Sequence, residues 1–209
     1  LYENNFDQAI SDYSKAIEIN PRFAEAYNNR GGVYAKKGNL DQAISDYNRA
    51  IEINPDYAEV YSNRGSAYAK KGSLNQAMPD YNKAIEINPD YAEVYYNRGN
   101  AYLKEGNLDQ AISDYSKAIE INPKYADAYY NRGNAYLKKD SLDQAISDFN
   151  KAIKIDPGHA KAYSNRGLSY FLKRDYGRAW EDVHKAESLG VTISPKFLEA
   201  LKKASGRER

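Results

Sequence analysis

Cysteine is absent from this chain of 209 residues, and methionine and tryptophan occur once each. Without cysteine the chain cannot form a disulfide framework, a cysteine-ligated zinc site or a thiol nucleophile. This absence does not identify a compartment, and a cytoplasmic location is our expectation. No apolar run approaches the roughly 18 residues that a bilayer-spanning helix requires. We therefore expect no membrane-spanning segment.

An excess of charge of one sign is also missing. Lysine and arginine together number 30 and aspartate and glutamate 29, which gives a formal charge of +1. Proteins that bind a nucleic-acid backbone or an anionic membrane usually carry a basic surplus. The balance therefore favours a protein or peptide partner over nucleic acid or membrane.

Tyrosine, by contrast, occurs 21 times, and such a bias indicates repetition. The segment AYNNRGGVYAKKGNLDQAISDYNRAIEINPDY recurs every 34 residues. Each copy has two apolar-periodic stretches separated by a Lys-Gly type break and closed by Asn-Pro, which predicts one helical hairpin per copy. Full copies occupy 24–57, 58–91, 92–125, 126–159 and 160–193. Positions within a copy are numbered below from its opening alanine.

Small and bulky residues alternate at fixed positions of each copy. In the first full copy they are Tyr27, Gly31, Tyr34, Ala43, Tyr47, Ala50 and Pro55. This pattern resembles the tetratricopeptide repeat family. The resemblance implies an all-α fold, a right-handed α-solenoid (superhelix) of stacked antiparallel helical hairpins, with the first helices along the inner wall. A glycine inside a helix costs about 1 kcal/mol relative to alanine, so we attribute Gly31 and its counterparts to close helix contact.

The seventh position departs from the family, because arginine replaces the usual leucine. The row is Arg30, Arg64, Arg98, Arg132 and Arg166. A partly buried charge needs a partner, and the second helices offer an aspartate at the twenty-third position, such as Asp46 and Asp80. We predict an Arg–Asp ion pair within each hairpin. The alternative reading of the row is an anion site.

The two ends differ from a full copy. Residues 1–23 match only the second helix of a repeat, and we expect its uncovered apolar side to favour association with another copy of the chain. Residues 194–204 should form a helix that caps the last hairpin, and 205–209 a frayed tail. The predicted domain is one array over 1–204. In the second full copy Pro79 replaces a serine inside a helix, where we expect a kink or a shortened first turn.

The sixth position is asparagine in every full copy. The row comprises Asn29, Asn63, Asn97, Asn131 and Asn165. An asparagine amide can donate to and accept from a peptide backbone unit at once. First helices about 10 Å apart would present one amide to roughly every third residue of an extended peptide. The row is similar to the asparagine ladder in the superhelix of the O-linked N-acetylglucosamine transferase, and that similarity implies peptide contact. Asparagines that only solvate the wall are the alternative.

The third and fourth copies add aromatic and aliphatic surface that would provide selectivity. These predicted peptide-binding residues are Tyr96, Asn100, Leu103 and Lys104 in the third copy and Tyr130, Asn134, Leu137 and Lys138 in the fourth. Aromatic surface beside amides is common at binding hot spots. Tyr96 and Tyr130 are among the few tyrosines that the core pattern does not require.

Catalytic chemistry lacks a candidate centre. The two histidines, His159 and His184, lie in a repeat junction and in a second helix, without a nucleophile elbow, phosphate loop or metal-ligand spacing nearby. We expect no enzyme activity, cofactor or metal. The function predicted is a scaffold that binds a peptide or partner segment in its concave groove. Two alternatives stay open: a substrate-recruiting domain of a larger enzyme, and a self-assembly module that uses the open N-terminal edge.

Overall fold

The computed structural model describes residues 3–206. These residues form helices and turns, without a β-strand among them. The helices are α1 (Glu3–Ile19), α2 (Ala24–Lys36), α3 (Leu40–Ile53), α4 (Ala58–Lys70), α5 (Leu74–Ile87), α6 (Ala92–Glu105), α7 (Leu108–Ile121), α8 (Ala126–Lys138), α9 (Leu142–Ile155), α10 (Ala160–Leu172), α11 (Tyr176–Ser188) and α12 (Pro195–Ser205). The predicted all-α class is confirmed.

The chain forms two compact units that divide between Ala101 and Tyr102. In the first unit α2 pairs with α3 and α4 with α5, and α1 and α3 pack on the first helix of the following hairpin. In the second unit α8 pairs with α9 and α10 with α11, α7 packs on α8, and α9 packs on α10. Each unit is therefore a stack of helical hairpins, as expected of an α-solenoid.

Close contact within a hairpin depends on small residues opposite a ring. Tyr47 is 2% exposed and lies between Ala43 and Ala50, both fully buried. A Cβ atom added to Gly31 would lie 2.8 Å from Cε1 of Tyr47 and 3.2 Å from the backbone oxygen of Ala43. The compensating reason predicted for the helical glycine is thus confirmed: α2 and α3 approach too closely there for any side chain.

The turn inside a hairpin needs a left-handed residue at the fifteenth position. Gly38 and Gly72 adopt φ of 84° and 83° there, a conformation that glycine reaches without steric cost. In the last two copies Asp140 and Arg174 take the same conformation, with φ of 57° and 64°. The turn geometry is therefore imposed by the packing of the two helices and is retained where glycine is lost.

Pro79 does not shorten its helix, and that part of the sequence expectation is wrong. The helix α5 has 14 residues, as have α3, α7 and α9, in which serine occupies the same position. The contacts of Ala77 and Tyr81, both 0–1% exposed, hold the chain in helical geometry on either side of the proline. Nothing in the structure explains why proline occurs at this position.

The C-terminal helix α12 packs on α11. Leu201 is fully buried and Phe197 and Leu198 are partly buried against the last hairpin, in a cluster that includes Trp180. Ser205, which we expected in the tail, is the last residue of α12 and its Oγ accepts a hydrogen bond from Nε1 of Trp180 at 3.1 Å. The remainder of the predicted tail, 207–209, lies outside the described residues.

Candidate functional site

An arginine at the seventh position joins the two helices of its own hairpin. Nε and Nη2 of Arg30 donate to the two carboxylate oxygens of Asp46 at 2.8 and 2.7 Å. The same bidentate pair recurs where both helices lie in one unit, as Arg64–Asp80, Arg132–Asp148 and Arg166–Asp182. Hydrogen bonding to Asp80 raises the pKa of Arg64. The predicted ion pairs are confirmed in these four hairpins.

The third guanidinium nitrogen links neighbouring hairpins, which the sequence reading missed. Nη1 of Arg30 donates to Oγ of Ser14 in the preceding second helix at 2.9 Å, and Nη1 of Arg64 to Oδ1 of Asn48 at 2.7 Å. The acceptor is always the twenty-fifth position of the preceding copy, which is also Asn82, Ser116 or Asn150. The signal was available, because that position is serine or asparagine in every copy that precedes an arginine of the row.

The guanidinium groups of the seventh-position arginines are therefore already bound by other residues of the protein. Each guanidinium also lies 5.4 to 5.7 Å from the ring centroid of the tyrosine three residues earlier, within cation–π range. Arg132 is 18% exposed and Asp148 7% by side chain. A guanidinium that donates to a carboxylate and to a neighbouring hairpin has little capacity left for an anion. The geometry therefore supports a structural role for these arginines rather than an anion site.

A cleft of about 560 Å³ opens between first helices of the first unit. We call it the first-helix cleft. Three asparagines of the predicted row, Asn29, Asn63 and Asn97, contribute to its lining. Its other lining residues are Tyr13, Asn28, Gly32, Val33, Ala35, Lys36, Tyr47, Glu59, Ser66, Ala67, Lys70 and Glu93. Two lysines and two glutamates leave the lining without net charge.

The amides inside this cleft differ in how far the fold already uses them. Nδ2 of Asn63 donates to Oδ1 of Asn28 at 3.0 Å, and Nδ2 of Asn28 donates to Oε1 of Glu59 at 3.1 Å. Asn28 is 2% exposed, so the fifth position, where we predicted ligand contact for Tyr96 and Tyr130, is internal in this copy. Ser62, the same position in the next copy, is also buried at 2%. These bonds fasten α2 to α4.

Asn29 and Asn97 are placed differently. Asn29 is exposed and Asn97 partly exposed, and neither side chain forms a hydrogen bond with another residue of the 3–206 range. Their amide N–H groups and carbonyl oxygens face the cleft without a protein partner among those residues. These two asparagines therefore have the full donor and acceptor capacity of an amide for a ligand.

In the second unit, three of the predicted peptide-binding residues form hydrogen bonds with one another. Nδ2 of Asn165 donates to Oδ1 of Asn134 at 2.7 Å and to the hydroxyl oxygen of Tyr130 at 3.3 Å. The ring of Tyr130 lies 4.7 Å from that of His159 and 6.0 Å from that of Phe149. The view that packing does not require Tyr130 is therefore corrected, because its ring covers a core cluster.

The other predicted residues lie on the same helices with varied exposure. Those that are partly exposed are Tyr96, Asn100, Leu103, Asn131, Asn134 and Leu137, and those that are exposed are Lys104 and Lys138. Leu137 packs against the cluster around Phe149 together with Tyr130. Within the first unit, three of the predicted asparagines line the first-helix cleft. Within the second unit, Tyr130 and Asn134 of α8 bond to Asn165 of α10.

Both histidines have structural surroundings. Nδ1 of His159 accepts a hydrogen bond from the backbone N–H of Ala162 at the start of α10, at 3.3 Å, and His184 packs its ring 5.4 Å from that of Trp180. Among the described residues, no group of three or more histidine or carboxylate side chains is arranged to hold a metal ion. None of the helices in the 3–206 range is both long and apolar enough to cross a membrane.

Models of known protein families match the chain along its repeats. A family model described as "TPR repeat" matches residues 1–38, 31–72, 65–106 and 99–140, and one described as "Tetratricopeptide repeat" matches residues 126–159. The chain belongs to the tetratricopeptide repeat family. Both models describe the repeat itself rather than a catalytic domain. A comparison with curated proteins finds none that matches this tetratricopeptide repeat chain.

Solved structures of tetratricopeptide repeat proteins resemble the chain. YrrB, described as a TPR protein with an unusual peptide-binding site, is 27% identical with a TM-score of 0.70, over 92% of this chain and 97% of that chain. MamA is 30% identical with a TM-score of 0.67, over 89% of this chain and 96% of that one. PilF of Pseudomonas aeruginosa, at 20% identity and a TM-score of 0.80 over 88% and 84%, is similar in fold alone.

Proposed function

We propose that the chain is a protein–protein interaction scaffold that binds an extended peptide segment in the first-helix cleft. The observation that carries the proposal is the lining of this cleft by Asn29, Asn63 and Asn97, which come from three successive first helices. Amides repeated at that spacing match the repeating amides of a peptide backbone. The similarity to YrrB, a TPR protein with a peptide-binding site, supports the same class of ligand.

The three asparagines would contribute differently to peptide binding, because they differ in the hydrogen bonds that they already form within the protein. Asn29 and Asn97 would each donate to and accept from one backbone unit, because the fold does not use their amides. Asn63 already donates one N–H to Asn28, so it would contribute its carbonyl oxygen and its second N–H. Asn28, buried and bonded to Glu59, would hold Asn63 in place. The residues that contact the peptide would therefore be fewer than the full row.

Charge in the cleft favours a segment without strong net charge. Lys36 and Lys70 lie in the last turns of α2 and α4, whereas Glu59 and Glu93 lie in the first turns of α4 and α6. The cleft would thus present positive charge toward one rim and negative charge toward the other. A segment with an acidic residue on one side and a basic residue on the other would complement both rims.

The experiment is a selection of peptides of about ten residues from a random displayed library on the immobilised chain, followed by affinity measurement. Two hydrogen-bonding amides are removed in Asn29→Ala with Asn97→Ala, and each net hydrogen bond contributes about 0.5 to 1.5 kcal/mol. We expect affinity to fall by roughly five- to a hundredfold. The matched control is Gln42→Ala with Gln76→Ala, which removes two exposed amides from second helices. Equal losses in the two double variants would reject the proposal.

A second candidate is self-association through α1, which the exposure of this helix favours. Ala9 and Tyr13 are partly exposed, whereas their counterparts Ala43 and Tyr47 are 0% and 2% exposed. Ile19 is 86% exposed. Sedimentation over a range of concentrations would reveal the association, and Ala9→Arg should abolish it by placing a charge on the apolar side. A mass that stays monomeric at every concentration would remove this candidate.

A further inference from the structure

A second cavity, in the second unit, has a charge pattern that none of its repeat equivalents shares. It has a volume of about 570 Å³ and is lined by Pro123, Lys124, Tyr129, Lys151, Lys154 and Ile155. We call it the lysine pocket. It lies where the loop after α7 meets α8 and the end of α9, and no asparagine contributes to its lining. Its three lysines are exposed, and Tyr129 and Ile155 are half-buried.

The repeat allows the same place to be compared in other copies. Lys151 and Lys154 occupy the twenty-sixth and twenty-ninth positions of the fourth copy. In the first three copies a basic residue is followed by glutamate at these two positions, and the pairs are Arg49–Glu52, Lys83–Glu86 and Lys117–Glu120, at 2.7, 2.7 and 2.9 Å. In the fifth copy the two residues are Lys185 and Ser188. In the fourth copy lysine replaces the glutamate. The glutamate is therefore absent from the fourth and fifth copies, and only in the fourth does a positive charge replace it.

The loop residue reverses its charge as well. Asp56, near the end of the first copy, lies in the loop before α4. Lys83 pairs with Glu86 at 2.7 Å, and hydrogen bonding to Glu86, with the charges of Glu86, Tyr61 and Asp56, raises the pKa of Lys83. The residue equivalent to Asp56 in the lysine pocket is Lys124. Two carboxylates therefore act on the ammonium group of Lys83, whereas the lysine pocket has three ammonium groups and no carboxylate in its lining.

None of Lys124, Lys151 and Lys154 forms an ion pair with a residue of the 3–206 range. Elsewhere in the same unit, Lys139 pairs with Asp109 and Lys173 with Asp143. Three like charges around one cavity repel each other unless a counter-ion is present. A multiply charged anion is the ligand that relieves this repulsion most strongly, because each ammonium group contributes to its binding.

The apolar part of the lining limits what can carry that anion. Pro123, Tyr129 and Ile155 are the lining residues without a charge; we call them the apolar wall, and they would contact a flat or apolar group beside the charged one. Tyr129 is held in place by its packing under the guanidinium of Arg132, 5.6 Å from its ring centroid. We propose that the lysine pocket binds a dianionic phosphoryl group that is attached to an aromatic or apolar carrier.

Phenyl phosphate is the probe, with inorganic phosphate and benzoate as the two comparison ligands. Backbone amide shifts of the full chain would be recorded by nuclear magnetic resonance at constant ionic strength, because exposed charges are screened by salt. Saturable shifts are expected at residues 123–129 and 151–155 with phenyl phosphate. Inorganic phosphate, without the ring, and benzoate, with a single charge, should bind more weakly. Inorganic phosphate binding as tightly as phenyl phosphate would overturn the role of the apolar wall.

The matched variant is Lys124→Asp with Lys154→Glu, which gives the pocket the equivalents of Asp56 and Glu86. The fold accommodates those residues there, and an unchanged melting temperature would verify it. Affinity for phenyl phosphate should fall by roughly tenfold or more, because two attractive charges become repulsive. The reverse variant, Asp56→Lys with Glu86→Lys, should create a second set of shifts around Tyr61 and Lys83. Binding that is equal in wild type and in the Lys124→Asp, Lys154→Glu variant would overturn the proposal.

Discussion

Arg166 and Asp182 face each other across one hairpin, with the guanidinium Nε and Nη2 donating to the two carboxylate oxygens at 2.8 and 2.6 Å. The remaining nitrogen, Nη1, donates to Oδ1 of Asn150 in the preceding hairpin at 2.6 Å. A single side chain therefore closes its own repeat and fastens it to the one before. Leucine, the usual residue of the family at this position, could do neither through hydrogen bonds.

Replacement of Arg166 by leucine should destabilise the second unit. The variant would leave the carboxylate of Asp182, which is 4% exposed, without its partner, and breaking such a pair costs about 3 kcal/mol. The double variant Arg166→Leu with Asp182→Ala removes the stranded charge and should recover part of the loss. Urea unfolding measures both. Lys173→Ala, which removes only the exposed pair with Asp143, is the control and should cost less than about 1 kcal/mol. A double variant no more stable than Arg166→Leu would contradict this account.

Two adjacent glycines of α2 should respond to alanine in opposite directions. At Gly31 the new methyl group would meet the ring of Tyr47 at 2.8 Å, and overpacking of this kind costs about 1 to 3 kcal/mol. At Gly32 the nearest atom is the hydroxyl of Tyr47 at 4.0 Å, so the gain in helix propensity, about 1 kcal/mol, should prevail. Thermal unfolding of Gly31→Ala and Gly32→Ala measures the two changes in stability. A stabilised Gly31→Ala variant would show that the helices do not approach as closely as described.

Alkaline pH should destabilise the fold through its buried tyrosines. Burial, reinforced by the charges of Asp46 and Glu59, raises the pKa of Tyr47 to about 12, against about 10 in an unfolded chain. Between these two values the unfolded chain releases the proton and the folded chain retains it. The folded state then binds more protons, so the free energy of unfolding falls as the pH rises, by about 2 kcal/mol in this window.

Tyr47→Phe tests that expectation, because the fourth copy already has phenylalanine, Phe149, at this position. The variant lacks the ionisable hydroxyl and should lose less stability than wild type between about pH 9 and about pH 11. Denaturant unfolding at both pH values measures the difference. Equal alkaline losses in the two proteins would show that Tyr47 is not the group responsible. Tyr91, whose pKa burial also raises to about 12, should account for part of the remaining loss.

The hairpins and their ion pairs could be predicted from sequence because each is repeated. One copy of Gly31 opposite Tyr47 would be ambiguous, but its recurrence with the Arg30–Asp46 combination fixes which positions meet. The bond from Arg30 to Ser14 was missed for a different reason. It joins successive copies, and a periodic sequence by itself does not state which positions of neighbouring copies come together.

The candidate site was less predictable than the fold. Asn28 and Asn29 are adjacent in α2, yet Asn28 is only 2% exposed whereas Asn29 lies on the exposed side. The difference depends on the neighbouring first helix, whose Asn63 and Glu59 bond to Asn28. In the same way, Tyr130 was assigned to ligand contact because the repeat pattern does not require it, whereas the rings of Phe149 and His159 pack against it. A contact between copies decides the first case, and packing within the fourth copy decides the second.

The most direct test of the proposed peptide site is a double-mutant cycle between Asn97 and the backbone of a selected peptide. Single backbone amides of the peptide are replaced by esters, which removes one N–H donor and leaves the side chains unchanged. Affinities are measured for each ester with wild type and with Asn97→Ala. We predict that at one peptide position the two changes are non-additive by about 0.5 to 1.5 kcal/mol, the contribution of one net hydrogen bond. Additive effects at every peptide position would contradict the claim that Asn97 binds the peptide backbone.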